Sequence, residues 1–229
     1  MNDIKNLVVG PLDTNCWIAT AGDDSLQING KTAASVIDPG GDAQTIINVL
    51  EHDKLYPAFI LITHGHFDHI AALGELADFY SSYKPVIAIA EGDAALIGNS
   101  AFDEHRRSLA YIGAEYLIEG NGPYACLKNL PEATRILHEG DKIANFTVIE
   151  LPGHSEGSIG FYDEKTKTIF SGDTLFAGGI GRTDLSGSDS EKMTASLGRL
   201  FSMDKNITVY PGHGETTTIG QEIKWQWQF

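Results

Sequence analysis

The stretch Thr63-His64-Gly65-His66-Phe67-Asp68-His69 places three imidazoles and one carboxylate within seven consecutive residues. Neither a protein core nor a solvated surface gains stability from crowding such groups together. Metal binding does require it, because imidazole nitrogens and carboxylate oxygens are ligands that proteins offer to transition metals. The stretch therefore predicts a metal site.

The flanking residues predict where this cluster lies. Residues 58–63 form a short apolar run rich in β-branched and aromatic side chains, which is typical of a buried strand, and residues 70–76 continue with helical periodicity. Gly65 allows a tight turn between two of the imidazoles. The cluster is therefore expected on a loop at the carboxyl end of a strand, where α/β proteins generally build their sites.

The same setting recurs downstream. Predicted strands at residues 146–151, 168–171 and 207–210 run into His154, Asp173 and His213. Taken alone, Asp173 is more typical of a turn or a helix N-cap than of a ligand. Histidine is scarcer, and of the chain's 8 histidines only His52, His105 and His138 lie outside these loops. The recurrence favours one site assembled from several strand ends.

The pattern His64-x-His66-x-Asp68-His69, followed by His154, Asp173 and His213, resembles the metallo-β-lactamase superfamily. Four further segments resemble its glyoxalase II branch: Asp13-Thr14-Asn15-Cys16, Pro152-Gly153-His154-Ser155, Ser171-Gly172-Asp173-Thr174-Leu175-Phe176 and Gly181-Arg182-Thr183-Asp184. The resemblance spans about residues 10–220 and is weakest over about 92–140. It implies an α/β fold, a four-layer αββα sandwich, which residues 1–229 are expected to form as a single domain.

The resemblance also implies two divalent metal ions and a ligand set. It assigns His64, His66 and His154 to one ion and Asp68, His69 and His213 to the second, with Asp173 bridging the two. A metal-held hydroxide would then attack an acyl carbonyl. Asp68 would orient that hydroxide and help to move its proton, while a purely coordinating role stays equally open. Zinc is the expected metal, and iron or manganese also suits nitrogen and oxygen ligands.

The implied activity is that of a glyoxalase II-like (hydroxyacylglutathione hydrolase-like) metallohydrolase acting on a small thioester or ester. Glutathione recognition is in question, because only residues 214–229 follow His213, where that branch carries a helical domain, and Glu215 replaces an expected tyrosine. Asp173 stands where the common di-zinc lactamases place cysteine, which disfavours antibiotic hydrolysis. A mononuclear iron persulfide dioxygenase and a non-catalytic metal-binding protein remain alternatives.

Several residues near these motifs allow more than one interpretation. The resemblance makes Arg182 a substrate-binding residue, whereas an ion pair with Asp184 is the equally weighted alternative. The run His105-Arg106-Arg107 predicts a solvated helical face, with the rim of the pocket as the alternative. Residues 225–229 alternate apolar and polar side chains, which favours packing on the domain or on a second subunit.

Local patterns predict further elements. We expect a strand at residues 34–39, a helix at 43–55 with Asp42 as its N-cap, and a hairpin that turns at 163–166. The 2 cysteines, Cys16 and Cys126, form no CxxC motif and are predicted to be small packing residues.

The composition of the chain disfavours some classes of binding partner. The 31 acidic and 16 basic residues give a net charge of −15, which disfavours binding to a nucleic-acid backbone. Residues 1–5 do not resemble a secretion signal, and no apolar segment is long enough to span a membrane. We therefore expect a cytoplasmic enzyme with a small-molecule substrate and neither a nucleic-acid nor a membrane partner. The sequence leaves the oligomeric state open.

Overall fold

Two β-sheets form the centre of the protein. The computed structural model describes residues 3–20 and 26–224. The first sheet contains β1 (Ile4–Val9), β2 (Thr14–Thr20), β3 (Gln27–Ile28), β4 (Lys31–Ile37), β5 (Leu55–Leu61), β6 (Val86–Ala90) and β7 (Arg135–Leu137). The second contains β8 (Lys142–Ile143), β9 (Phe146–Glu150), β10 (Ile159–Asp163), β11 (Thr168–Gly172), β14 (Thr208–Pro211) and β15 (Thr217–Thr218). A separate ribbon pairs β12 (Leu175–Phe176) with β13 (Gly179–Ile180).

The helices connect and cover these sheets. They are α1 (Ala43–His52), α2 (Phe67–Ile70), α3 (Leu73–Phe79), α4 (Ala101–Ala110), α5 (Ser190–Phe201) and α6 (Ile219–Glu222). Short 3₁₀ turns occupy Ser81–Tyr83, Glu91–Leu96, Gly98–Ser100, Glu115–Leu117 and Ala125–Asn129. None of the helices in the described ranges is long and apolar enough to cross a membrane.

The strand order explains why helices cross the first sheet. That sheet runs β1-β2-β4-β5-β6-β7, with β3 beside β4, and the pairs from β4 to β7 are parallel. Parallel neighbours need a crossover connection, which α1 supplies between β4 and β5. In the second sheet, ordered β15-β14-β11-β10-β9-β8, only β11 and β14 pair in parallel. Because parallel strands end at the same edge, several strand ends of each sheet point towards one region.

Three layers of apolar side chains hold these elements together. Consecutive strand residues face opposite sides of a sheet, so that Leu61 lies in the core between the two sheets while Ile60 lies in the core under α1, α3 and α4. In the second sheet Val148 faces inward and Ile149 packs with α5 and α6. The order helix, sheet, sheet, helix confirms the predicted four-layer αββα sandwich.

The predicted elements are largely present, with shifted boundaries. The hairpin is confirmed, because β10 and β11 pair in antiparallel register with Phe161 opposite Phe170. The strand before the cluster is β5, which lies earlier than the predicted 58–63. The helix after it is α3, preceded by the short α2 that takes up Asp68 and His69.

The predicted end of the helix at 43–55 is wrong, and its predicted N-cap, Asp42, is confirmed in position but makes no capping hydrogen bond. The helix α1 ends at His52, since Lys54 has a left-handed φ of 54° and β5 begins at Leu55. Asp42 does precede α1, but its side chain does not cap the helix. With φ at 48° the carboxylate turns away from the first helical turn and accepts a hydrogen bond from the backbone N–H of Gly10 at 2.8 Å.

The cysteines differ from each other. Both are free, with Cys16 buried and Cys126 exposed. The packing role predicted for Cys16 is therefore confirmed, and that for Cys126 is wrong, because its side chain points away from the core. The aromatic segment at residues 225–229 lies outside the described residues.

Candidate metal centre

The predicted ligands come from strand ends of both sheets. The first sheet contributes the loop after β5 and the short helix α2, which together carry His64, His66, Asp68 and His69. The second sheet contributes the residues that follow β9, β11 and β14, which are His154, Asp173 and His213. The site therefore lies at the edge of the sandwich that contains these strand ends of both sheets.

The structure brings these side chains together in three overlapping groups, within each of which the nitrogen and oxygen atoms lie no more than 4.8 Å apart. The groups are His64, His66 and His154; Asp68, His69 and His213; and His64, His69 and Asp173. Asp173 lies between the first two groups: its carboxylate is 3.6 Å from His154 Nε2 and 3.5 Å from His213 Nε2.

The hydrogen bonds of the imidazoles aim their other nitrogens at the centre. His69 Nδ1 donates to Asp38 Oδ2 at 3.1 Å, and His154 Nδ1 donates to the backbone oxygen of Arg182 at 2.9 Å. His64 Nδ1 lies 3.1 Å from Thr63 Oγ1. Such contacts to the far nitrogen hold the ring orientation and tautomer of a metal-ligating histidine.

Unpartnered polar atoms test whether this cluster fits a metal. Among the described residues, the buried atoms His64 Nε2, His69 Nε2 and Asp173 Oδ1 have no hydrogen-bond partner. A buried polar group without a partner costs about 1–3 kcal/mol. Divalent ions would supply the missing partners, so the donor set fits them.

The electrostatics also favour metal ligation. Burial, reinforced by neighbouring imidazoles, lowers the pKa of His64 well below its usual value and that of His66 to about 3. Burial alone would raise the pKa of Asp68 and Asp173, but His69 and the adjacent histidines outweigh it and lower both. Neutral imidazoles and ionised carboxylates are the protonation states that metals bind.

His69 behaves differently. Burial would lower its pKa, but the carboxylates of Asp173 and Asp68 raise it well above the usual value. The protonated ring offsets one of those two negative charges. Because a metal ligand must give up that proton, metal binding here is expected to release protons.

Asp38 supports the cluster and was missed by the sequence reasoning. Its carboxylate is buried at the end of β4 and accepts hydrogen bonds from the backbone N–H of Thr63 at 2.8 Å and from Thr63 Oγ1 at 2.7 Å, besides the bond from His69. The available signal was its position near the end of the strand predicted at residues 34–39, a setting similar to that of Asp173.

Asp93 was also missed. It is buried in the turn after β6 and accepts hydrogen bonds from Gly65 N at 2.8 Å, Ser155 Oγ at 2.7 Å and Gly157 N at 2.8 Å. These donors belong to the loops that carry His66 and His154. No local sequence pattern pointed to Asp93, because all its partners are distant in the chain.

The early segment quoted for the resemblance also reaches the site. Thr14 Oγ1 donates to Asp68 Oδ2 at 3.1 Å, and the Asn15 side chain donates to the backbone oxygens of Pro211 at 3.0 Å and Gly214 at 2.9 Å. The start of β2 is thereby tied to the loop that carries His213.

A cavity of about 380 Å³ opens above the cluster. Its floor includes His66, Asp68, His154, Asp173 and His213. Its walls include α4 and the turn that follows, so part of the segment at 92–140 shapes the pocket. His105 is among the lining residues, as its alternative interpretation predicts. The solvated face predicted for His105 is wrong, since the ring is buried and donates to the Leu96 carbonyl at 2.9 Å, whereas Arg106 and Arg107 are exposed.

Arg182 lies at the mouth of this cavity. Its Nε and a terminal nitrogen donate to the two carboxylate oxygens of Asp184 at 2.6 and 2.8 Å. The alternative ion pair is therefore present, and the side chain also lines the pocket. Its contact with substrate stays a prediction.

Comparison with known proteins agrees with this geometry. A sequence model of the metallo-beta-lactamase superfamily matches residues 9–213. The chain belongs to this superfamily. It is 33% identical to hydroxyacylglutathione hydrolase GloC of Haemophilus influenzae, over 82% of this chain and 84% of that protein.

Solved structures of the superfamily match nearly the whole chain. A di-iron-bound form of TTHA1623 aligns with a TM-score of 0.78 and 31% identity, covering 96% of this chain and 97% of that one. The B3 metallo-beta-lactamase BLEG-1 aligns with a TM-score of 0.79 and 32% identity, covering 97% of both chains. The metallo-β-lactamase fold predicted from the sequence is confirmed, and the protein is a hydrolase of this superfamily with a candidate metal site of histidine and aspartate.

Proposed function

We propose that the protein hydrolyses a small acyl thioester or ester at a dinuclear metal centre. The observation that carries this proposal is the overlap of the donor groups: His64, His66 and His154 form one group, Asp68, His69 and His213 form another, and Asp173 lies between them. In the proposed assignment each of these groups would hold one divalent ion, and Asp173 would be available as a ligand to both.

Metal ions at such a site supply two effects when bound: they lower the pKa of water towards about 7 and withdraw charge from the acyl oxygen. The remaining tasks fall to the chain. Thr14 Oγ1 donates to Asp68 Oδ2, and His213 Nε2 lies 3.3 Å from the same oxygen. With its lowered pKa, Asp68 is ionised at neutral pH and available as a hydrogen-bond acceptor. In this proposal Asp68 orients the attacking water and accepts its proton, and Arg182 contacts the substrate at the mouth.

Zinc is the proposed metal. Because one similar structure is a di-iron-bound form, iron is the alternative metal whose content should be measured first. The proposed setting is the cytoplasm, with a small-molecule substrate.

Elemental analysis tests the centre. Protein purified without added metal or chelator is expected to contain about two metal ions per chain, falling to one or none in His66→Ala and in Asp173→Ala. His52→Ala is the matched control, because that side chain is 88% exposed and lies outside the cluster. The same samples are then assayed with thioesters, esters and, because one relative is named a B3 metallo-beta-lactamase, a β-lactam.

Three outcomes contradict the proposal. One iron per chain that survives Asp173→Ala, together with oxygen uptake on a persulfide, identifies a dioxygenase instead. Turnover of the β-lactam alone identifies a lactamase. Bound metal without turnover of any of these substrates identifies a metal-binding protein that is not a hydrolase of this kind.

A further inference from the structure

We infer, building on the proposed hydrolysis, that the substrate carries uncharged, apolar groups on both sides of its reacting carbonyl, and that thioesters of anionic thiols such as glutathione are disfavoured. In the reaction, water adds to the carbonyl carbon and the carbon–sulfur bond breaks. The acyl group leaves as a carboxylic acid and the sulfur takes up a proton to become a neutral thiol.

The walls of the cavity are mainly apolar. Above the donor cluster they consist largely of Leu12, Phe67, Leu109, Ile112, Leu117 and Leu185. Leu12 is 47% exposed and Ile112 is 44% exposed, so apolar surface continues to the rim. Because covering such surface is favourable and polar groups placed against it lose their hydration, these walls select apolar substituents.

Apart from its histidines and the metal ions proposed to bind at its floor, the cavity offers little positive charge. All 16 lysine and arginine residues belong to the described part of the chain, and among them only Arg182 lines the cavity. Its guanidinium is already engaged by both oxygens of Asp184. Arginine commonly binds carboxylates in this bidentate geometry. Asp184 therefore occupies the position that a substrate carboxylate would take.

The pair is exposed and individually weak, but two features keep a free anion from displacing Asp184. Asp184 is tethered two residues away from Arg182 and so competes at an effective concentration on the order of millimolar or more. The formal net charge of −15 also disfavours the approach of anions to the protein.

The basic residues on the wall helix α4 are paired as well. Arg106 Nε donates to Glu119 at 2.6 Å, and Arg107 donates to Glu104 at 2.9 Å. A thiol such as glutathione, with a net negative charge, would therefore meet apolar walls and neutralised arginines. An uncharged thiol could occupy the same position without placing a charge against the apolar walls.

A matched pair of substrates tests the charge preference. The butyryl thioesters of glutathione and of N-acetylcysteamine share the acyl group, whereas the thiol is a negatively charged tripeptide in the first and a smaller, uncharged amide in the second. We expect kcat/KM of the metal-loaded protein to be at least about tenfold higher for the neutral thioester, since a tenfold ratio corresponds to about 1.4 kcal/mol. Equal or greater kcat/KM for the glutathione thioester would overturn the inference.

A chain-length series tests the apolar walls. From acetyl to butyryl to hexanoyl N-acetylcysteamine, kcat/KM is expected to rise by up to about fourfold per added methylene, the value for full burial. Ile112→Ser should flatten this rise. Ile136→Ser, at a side chain 38% exposed outside the cavity, should leave it unchanged. A flat series in the unsubstituted protein contradicts the proposed apolar contact.

Asp184→Asn tests the neutralised arginine. Removing the carboxylate frees the charge of Arg182, so KM for the glutathione thioester should fall severalfold while KM for the neutral thioester stays the same. Asp204→Asn is the control, because it also removes one negative charge from an ion pair, that with Lys167, at a position outside the cavity. Equal effects of the two variants, or no effect of Asp184→Asn, would contradict the role of the pair.

The two proposals fail in different ways. If the metal-loaded protein cleaves the glutathione thioester but not the neutral one, the substrate inference is wrong and the proposed hydrolysis stands. If it cleaves neither thioester and no ester, the proposed hydrolysis is wrong and the inference falls with it.

Discussion

At Gly212 the backbone passes close to two side chains of the donor cluster. A Cβ on Gly212 would lie 2.1 Å from Asp173 Oδ1 and 2.7 Å from His69 Cε1, far inside normal contact distance. The chain therefore passes against two proposed ligands at a point where only glycine leaves them room.

Gly212→Ala is expected to displace Asp173 or His69 and so to lower both the metal content and the hydrolytic activity at least tenfold. Elemental analysis and kcat/KM measure this. Gly198→Ala is the control, because it lies in α5 with open space around its Cα, and alanine in a helix interior should stabilise the protein by about 0.5–1 kcal/mol. Full metal content in Gly212→Ala would show that the cluster tolerates the methyl group.

The protonation of buried imidazoles makes stability depend on pH. His64 and His66 have pKa values lowered in the folded protein, that of His66 to about 3. Between that value and the usual pKa of about 6.5 the unfolded chain binds more protons than the folded one, so stability falls as pH falls. The pKa of His69 is raised in the folded protein, so above pH 6.5 the folded chain binds more protons than the unfolded one. This contribution to stability therefore decreases as pH rises further.

In chelator-treated protein, the free energy of unfolding is therefore expected to fall when the pH is lowered from 6.5 to 5. Urea denaturation at both values measures it. His66→Ala should show a smaller fall than the parent protein, whereas His52→Ala, at an exposed ring, should show the same fall. Equal stability of the parent protein at both pH values would contradict the lowered pKa of these imidazoles.

At the scale of elements, one buried carboxylate joins the two loops that carry His66 and His154. Asp93 lies in the 3₁₀ turn after β6 and receives three hydrogen bonds, from Gly65, Ser155 and Gly157. The first donor belongs to a loop of the first sheet and the other two belong to a loop of the second. The turn therefore holds loops from the two sheets at a set distance.

Asp93→Ala would leave these donors without their acceptor. We expect the free energy of unfolding to fall by about 2–4 kcal/mol, since each unsatisfied buried group costs about 1–3 kcal/mol and part of that cost is relieved by relaxation. Metal affinity should fall as well, because the loops lose their link. Chemical denaturation and metal titration measure the two effects.

Asp78→Ala provides the comparison, because this carboxylate is exposed on α3 and should change stability by less than about 0.5 kcal/mol. If Asp93→Ala resembles Asp78→Ala in both measurements, the hydrogen bonds of Asp93 do not hold the loops.

At the scale of the whole molecule, the packing of the two sheets assembles the site. Each sheet carries only part of the donor set, and the inner faces meet through aromatic side chains. The rings of Trp17 and Phe170 lie 6.0 Å apart and those of Phe146 and Phe170 lie 5.6 Å apart, and Phe161 is fully buried beside them. Neither half would place its ligands without this core.

Phe161→Ala should lower the free energy of unfolding by about 3–5 kcal/mol, because it leaves a cavity in the core between the sheets. Phe79→Ala, at an exposed ring, should cost less than about 0.5 kcal/mol. Urea denaturation of the metal-free proteins measures both changes. A loss of less than about 1 kcal/mol in Phe161→Ala would show that this core tolerates the cavity and does not depend on the ring.

The amino-acid sequence by itself determined the family, the layered fold and the positions from which the proposed ligands emerge. Strand ends can be predicted from local features of the sequence. Here these features are the apolar alternation, the hairpin at 163–166 and the glycine and histidine residues after each strand. The single domain over residues 1–229 stays a prediction, as do the metal-binding roles of the cluster.

Only the tertiary structure decided which side chains support that cluster. Asp38 holds His69, Asp93 joins two loops, and His105 turns inward to line the cavity, because each finds its partner in a segment distant in the chain or on another element. The pair of Arg182 and Asp184 is local in the chain, but the choice between this loop carboxylate and a substrate depends on how the loop folds. Periodicity and spacing do not encode the contacts of Asp38 and Asp93, because these form only when segments that are distant in the chain pack against one another.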